Sequence, residues 1–191
     1  MLNEDEARLI NRARQGDQEA TAVLYQQHVQ AIFRYIHFRV PEGAAAEDLT
    51  AEVFLRMVEG LPAFKVNGAP FEAWLYRIAA ARVADYYRQQ IRRPEESLSE
   101  MEPARVVSPE GELQTEEEEA AVRAALCELS DEYQDILLLR FVERKSHAEV
   151  AMLLGKSVTA IKSAQHRALT RLAELMGSNG KTRHYLRGQD E

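Results

Sequence analysis

Apolar side chains recur at three- and four-residue spacing along most of this chain, the period that gives a helix one buried face. The pattern predicts helices near residues 3–15, 18–39, 44–60 and 70–92, and again near 117–129, 131–143, 147–154 and 157–176. Alternating runs bounded by turn residues, which would mark strands, are missing from the sequence. The expected class is therefore all-α. Between the two sets, residues 94–119 lose the period and carry Pro94, Pro103, Pro109, Gly111 and three serines, so they read as a flexible, solvated linker. Two small helical domains follow, 1–93 and 120–176, with a polar tail at 177–191.

Local signals sharpen the second domain. Ser130 stands before Asp131 and Glu132 as a helix start, and Ser146-His-Ala-Glu149 has the spacing of a capping box, in which two side chains satisfy free backbone donors. Gly155 can take the left-handed conformation that ends a helix, and Ser157 opens the next. A short helix, a glycine turn and a longer helix form the helix-turn-helix pattern. On the longer helix the period sends Val158, Ile161, Gln165, Ala168, Leu169 and Leu172 inward, against Val150, Leu153 and Leu154. Thr159, Ala160, Ser163, His166, Arg167 and Thr170 face outward, with Lys162 at the flank. Small, hydroxylated and cationic side chains near a helix N-terminus suit phosphates and base edges in a major groove. A plain solvated face is the alternative, and the helix-turn geometry weighs against it. Gln165 is the odd inward residue, since a buried amide needs partners.

In the first domain, Leu49, Val53, Phe54, Met57, Val58 and Leu61 share the inward side of the segment 47–61. Asp48, Glu52, Leu55 and Glu59 fall outward with Arg56 at the edge, an exposed leucine ringed by carboxylates that fits docking onto a basic protein surface. The helix that Pro70 begins turns Phe71, Leu75, Ile78, Ala79 and Tyr86 inward. A second row holds Trp74, Arg77, Ala81, Ala84, Arg88 and Arg92, mixing guanidinium groups, an aromatic ring and small residues as nucleic-acid surfaces do. Trp74 fits either that row or the core. The preceding loop, Lys65 to Pro70 with Asn67 and Gly68, is polar and able to cup a base.

Charge changes the picture. The 191 residues carry 24 basic and 31 acidic side chains, a net charge of −7 that would ordinarily argue against a polyanionic partner. The excess is concentrated: residues 94–119 hold ten carboxylates and only Arg105, whereas 1–93 balance and 120–176 are slightly basic. Neither domain is thereby excluded from nucleic acid. Cys127 is the only cysteine and, beside Leu126 and Leu129, is expected in a core. No stretch reaches the roughly 20 apolar residues of a membrane span, and the start of the chain is acidic, so membrane insertion is not expected and a cytoplasmic location is. His166 has no second ligand at metal spacing, and neither a triad nor a paired-carboxylate arrangement is apparent, so no metal, cofactor or enzymatic role is expected.

Three passages together resemble a bacterial RNA polymerase sigma factor of the extracytoplasmic-function group. Residues 47–56 look like the polymerase-docking segment, 71–79 with 85–88 like the promoter-melting helix, and 129–141 with the helix pair and Ile161-Lys-Ser163 like the upstream-element reader. The resemblance implies contact with core RNA polymerase through Asp48, Glu52, Leu55 and Arg56. It implies minus-ten recognition and melting by Lys65, Asn67, Trp74, Arg77, Arg88 and Arg92, and minus-thirty-five recognition by Thr159, Lys162, Ser163, His166 and Arg167. An anti-sigma protein is an implied partner, and the linker would thread toward the enzyme's nucleic-acid channel. The chain departs from the common pattern at Ala81, Ala164 and Gln165, where the family often has Asn, Arg and Leu. The competing reading is a free-standing helix-turn-helix regulator of operator DNA, which would have no use for the docking segment or the arginine row.

Overall fold

The computed structural model describes residues 4–65, 70–92 and 120–177. Among these the secondary structure is helical throughout, with no strand. The N-terminal bundle contains α1 (Glu4–Arg14), α2 (Gln18–His37), α3 (Gly43–Gly60), a 3₁₀ turn (Leu61–Ala63) and α4 (Phe71–Arg92). Gly16, at φ 89°, makes the reversal between α1 and α2, a conformation that a β-carbon disfavours. Asp17 then caps α2 by accepting from the Ala20 N–H at 3.1 Å, and Arg12 donates to the same carboxylate at 2.7 Å. These bonds hold the Asp17 carboxyl below its ordinary range, the backbone N–H having the larger share.

The apolar faces of the four helices close over Ile10, Leu24, Ile32, Ile36, Met57, Leu61, Phe71 and Leu75, all fully buried. Each such side chain contributes about 1.5–3 kcal/mol by leaving water. Gly60 lets α3 end against α4: a β-carbon there would lie 2.8 Å from Trp74 Cζ2. The period mispredicts one position, because Val58, expected inward, is 49% exposed. It lies one residue past Met57, at the boundary between the two faces, where an angle of 100° per residue decides little.

The C-terminal bundle comprises α5 (120–127), α6 (Asp131–Leu137), a π-helical turn (Leu138–Val142), α7 (His147–Leu154) and α8 (Val158–Leu175). Its core is Ile136, Leu138, Leu139, Val150, Ile161, Ala164 and Ala168. The Ser146–Glu149 capping box is present in both directions, and its hydrogen bonds from Ser146 hold the Glu149 carboxyl low. Gly155 ends α7 in the left-handed region at φ 65°, and Ser157 caps α8 through the Ala160 N–H. Ser130 occupies the N-cap of α6 without a side-chain bond. The single helix expected over 131–143 widens at its end: the N–H of Glu143 reaches the Leu138 carbonyl at 3.0 Å, one residue farther than in an α-helix. Val158, expected inward, is 41% exposed, because Ala164 rather than Val158 faces the core beside Ile161 and Ala168.

The two bundles meet where α2 packs on the π turn and α4 on α7. The seam carries ion pairs and hydrogen bonds beside an apolar core that runs on from one bundle to the other. Arg34 grips Glu143 through two parallel bonds of 2.7 and 2.8 Å. Arg39, 3% exposed, donates to Asp131 at 2.6 Å, to Asp135 at 2.8 Å and to the Tyr35 hydroxyl, which itself donates to Asp135. Lys145 pairs with Glu72 at 2.9 Å, and the Tyr87 hydroxyl donates to the Arg39 carbonyl at 2.6 Å. Cys127, expected in a core, lies half-buried at this seam, its thiol 3.8 Å from the Phe38 carbonyl. Burial pushes the Asp135 carboxyl and the Tyr35 hydroxyl up. Burial also opposes the charge on Arg39, but Tyr35, Asp135 and Asp131 outweigh it and hold that guanidinium firmly protonated.

Candidate nucleic-acid and protein interfaces

Three exposed surfaces carry the residues that the sequence singles out. On α8, Thr159, Lys162, Ser163, His166 and Arg167 are all exposed and occur at steps of three, one, three and one, a single stripe of a helix. The stripe begins at the capped N-terminus, where unpaired backbone N–H groups favour anions. Arg167 is steadied from outside the helix, its Nε donating to the Tyr133 hydroxyl on α6 at 3.1 Å. Behind the stripe, the amide oxygen of Gln165 accepts from Arg140 Nε at 3.0 Å, and Arg140 also donates to the Lys145 carbonyl. The inward amide therefore has the partner that its position demanded. Ala164 is fully buried, so the side chain at that position turns away from the stripe.

On α4, Arg77, Ala81, Arg88 and Arg92 are exposed and Ala84 is half-buried. Arg88 donates to the Ala84 carbonyl at 3.2 Å and pairs with Asp85 at 2.7 Å. Arg82, absent from the predicted row, binds the same Asp85 and approaches Glu52 of α3 at 4.0 Å. Arg82 turns toward α3, off the row, and Asp85 partly neutralises both Arg82 and Arg88. Trp74 leans inward: its ring lies 4.8 Å from Phe64 and 5.5 Å from Phe71, over Gly60. It buttresses the point where the loop leaves the bundle. Lys65 is exposed at the start of that loop; Asn67 lies outside the described residues, as do the linker 94–119 and the tail beyond 177.

On α3, Leu55 is 59% exposed with Asp48, Glu52, Arg56 and Glu59 exposed around it. Arg56 pairs with Glu59 at 3.0 Å. Val58 stands one turn from Leu55 and extends the apolar centre, a residue that the helical period had assigned to the core. The result is an apolar spot within an acidic rim, the anatomy of a protein-docking surface. Among the described residues no helix is long and apolar enough to cross a membrane.

Comparison with known proteins places both bundles. Residues 24–93 match the sigma-70 region 2 family and residues 119–172 match sigma-70 region 4. The extracytoplasmic-function RNA polymerase sigma factor BldN of Streptomyces coelicolor is 38% identical over 91% of this chain, which spans 66% of that protein's length. ShbA of Streptomyces griseus, a sigma factor of the same group, is 33% identical over 87% of this chain and 93% of its own. Among solved structures, CnrH in complex with the cytosolic domain of CnrY is similar at a TM-score of 0.66, with 25% identity, covering 93% of this chain and 99% of that one.

Proposed function

The chain belongs to the extracytoplasmic-function group of RNA polymerase sigma factors, and from that premise we propose that it joins core RNA polymerase and directs it to promoters bearing minus-thirty-five and minus-ten elements. The observation that carries the proposal is the coexistence of three separate exposed surfaces, an acid-rimmed apolar spot on α3, an arginine row on α4 and a capped cationic stripe on α8. A free-standing operator-binding regulator needs only the last.

Leu55, with Asp48, Glu52 and Arg56 around it, docks on core polymerase. The stripe Thr159, Lys162, Ser163, His166 and Arg167 enters the major groove of the upstream element, its N-terminal end nearest the phosphates. Arg77, Arg88 and Arg92 hold the backbone of the minus-ten strand, Lys65 and Asn67 flank the captured base, and Trp74 braces the loop. The complex works in the cytoplasm, and an anti-sigma protein holds the chain inactive until it is needed.

Co-elution with core polymerase and run-off transcription from a promoter library test the proposal. Leu55→Asp should weaken core binding by on the order of thirtyfold or more, the size of an interface hot spot, with the thermal melt unchanged because this side chain is outside the core. Tight sequence-specific duplex binding by the isolated chain, with no affinity for core, would instead establish the operator-binding regulator.

A further inference from the structure

We propose that Tyr133 is a positioning residue for base recognition: its hydroxyl holds the Arg167 guanidinium by Nε, so that the two terminal nitrogens are presented together as a fork, and that fork selects a guanine in the upstream element. The proposal rests on the sigma-factor function above and deepens its major-groove contact. Arginine carries five N–H donors, one on Nε and four on the terminal pair. The single Nε–H of Arg167 is given to the Tyr133 hydroxyl at 3.1 Å, which leaves Nη1 and Nη2 of this exposed side chain to act as one edge. Guanine is the base that matches such an edge, because its N7 and O6 are both acceptors and lie side by side in the major groove. Adenine puts an amino donor beside N7, which would meet an N–H of the fork; thymine offers a single acceptor and cytosine only a donor.

The setting of Tyr133 suits this role. It is half-buried, with its ring packed against the core and its helix α6 packed on α8, so the hydroxyl sits on a rigid mount. Glu132 beside it accepts from Lys156 at 2.8 Å, which ties the first turn of α6 to the turn that precedes the reading helix. A hydroxyl also orients a guanidinium without neutralising it. Arg171, one turn beyond, is paired with the Glu174 carboxylate at 3.0 Å, whereas the hydroxyl leaves the charge of Arg167 undiminished for DNA. Arg167 lies about 12 Å along the axis from Thr159, past the first turn where free backbone N–H groups favour phosphate. Its preference therefore depends on how its own side chain is held.

The test is selection from promoter fragments whose upstream element is randomised, read by sequencing the fragments retained by the full chain with core polymerase and, separately, by the full chain alone. Wild type should show one position at which guanine is preferred by about fivefold to 150-fold, the discrimination of a good bidentate pair. Tyr133→Phe keeps the ring and should cut the preference at that position by about threefold or more, with the other positions as they were and the thermal melt unchanged. Arg167→Ala should erase it, and adding Tyr133→Phe to Arg167→Ala should change nothing further, since the hydroxyl acts through the guanidinium. No guanine-dependent position in wild type, or a guanine preference that survives Tyr133→Phe, would overturn the proposal. So would a loss in Tyr133→Phe that is uniform over all sequences, which a phosphate contact or a merely structural role would give. If Tyr133→Phe lowers the melt, the Arg167→Ala background decides, because an effect of the hydroxyl that persists there overturns the proposal and one that vanishes supports it. A guanine preference that Tyr133→Phe reduces with the chain alone, in a chain that neither joins core polymerase nor supports transcription, would support the role of Tyr133 and count against the proposed function.

Discussion

Within the N-terminal bundle, Phe71, Leu75 and Ile32 are closed off from water in an apolar core; between the bundles, Arg34, Arg39 and Lys145 face Glu143, Asp131, Asp135 and Glu72. The two kinds of contact respond to different agents. Apolar burial has no angular demand and little sensitivity to ions, so it is lost only when the bundle unfolds. Ion pairs at a seam weaken with salt and are replaced by hydration on separation, so they can be lost while each bundle stays folded. The difference teaches that salt reaches only part of what joins the bundles, because the apolar core runs on across the seam beside the ion pairs.

The largest expected effect attacks the first kind. Phe71→Ala removes a fully buried ring that also contacts Phe64 and Trp74, and it should cost about 3–5 kcal/mol in a denaturant melt. If the bundles are independent units, the C-terminal one keeps its own transition and the melt splits in two; one broad transition would mean that the seam couples them tightly.

A smaller effect attacks the second kind. At about 1 M salt the screening length falls to about 3 Å, and the radius of gyration should grow while far-ultraviolet circular dichroism stays constant. Arg39, buried and bonded to several groups, should be the last of these contacts to yield.

The smallest sits at the border of core and seam. His28 lies tilted against Phe71 and near Glu72 and Lys145, and burial holds its imidazole below the ordinary histidine range. The folded chain thus keeps it neutral while the unfolded chain takes up a proton as pH falls through about 6.5, so stability should decline below that point. His28→Phe should flatten the slope in a melt series from pH 7 to 5; an unchanged slope would assign it to other groups.

Much of this architecture is written in short-range pattern. Ser146, Glu149, Gly155 and Ser157 declare the helix pair because each acts on backbone within four residues, and the stripe on α8 follows from period alone. Val58 and Val158 were harder, since both lie at the edge of an apolar face and tertiary packing chose the other neighbour. The seam was not legible at all. Arg34 and Glu143 are 109 residues apart, Arg39 and Asp135 96, and no local period encodes which arginine among many finds a carboxylate so far along the chain. Arg140 belongs to the same class: Gln165 announced that it needed a partner without naming it.

The π turn at Leu138–Val142 has a consequence for how this chain tolerates insertion and deletion. A π turn amounts to one residue more than an α-helical path between the same points. Removing a single residue there would let the helix run on regularly to the same end point, whereas removing one from α6 itself would swing everything after it by about 100°. That swing would carry Arg140 and Gln165 round together but turn Glu143 away from Arg34 on the other bundle. The extra residue thereby gives the chain one place at which a deletion leaves the contact between the bundles standing.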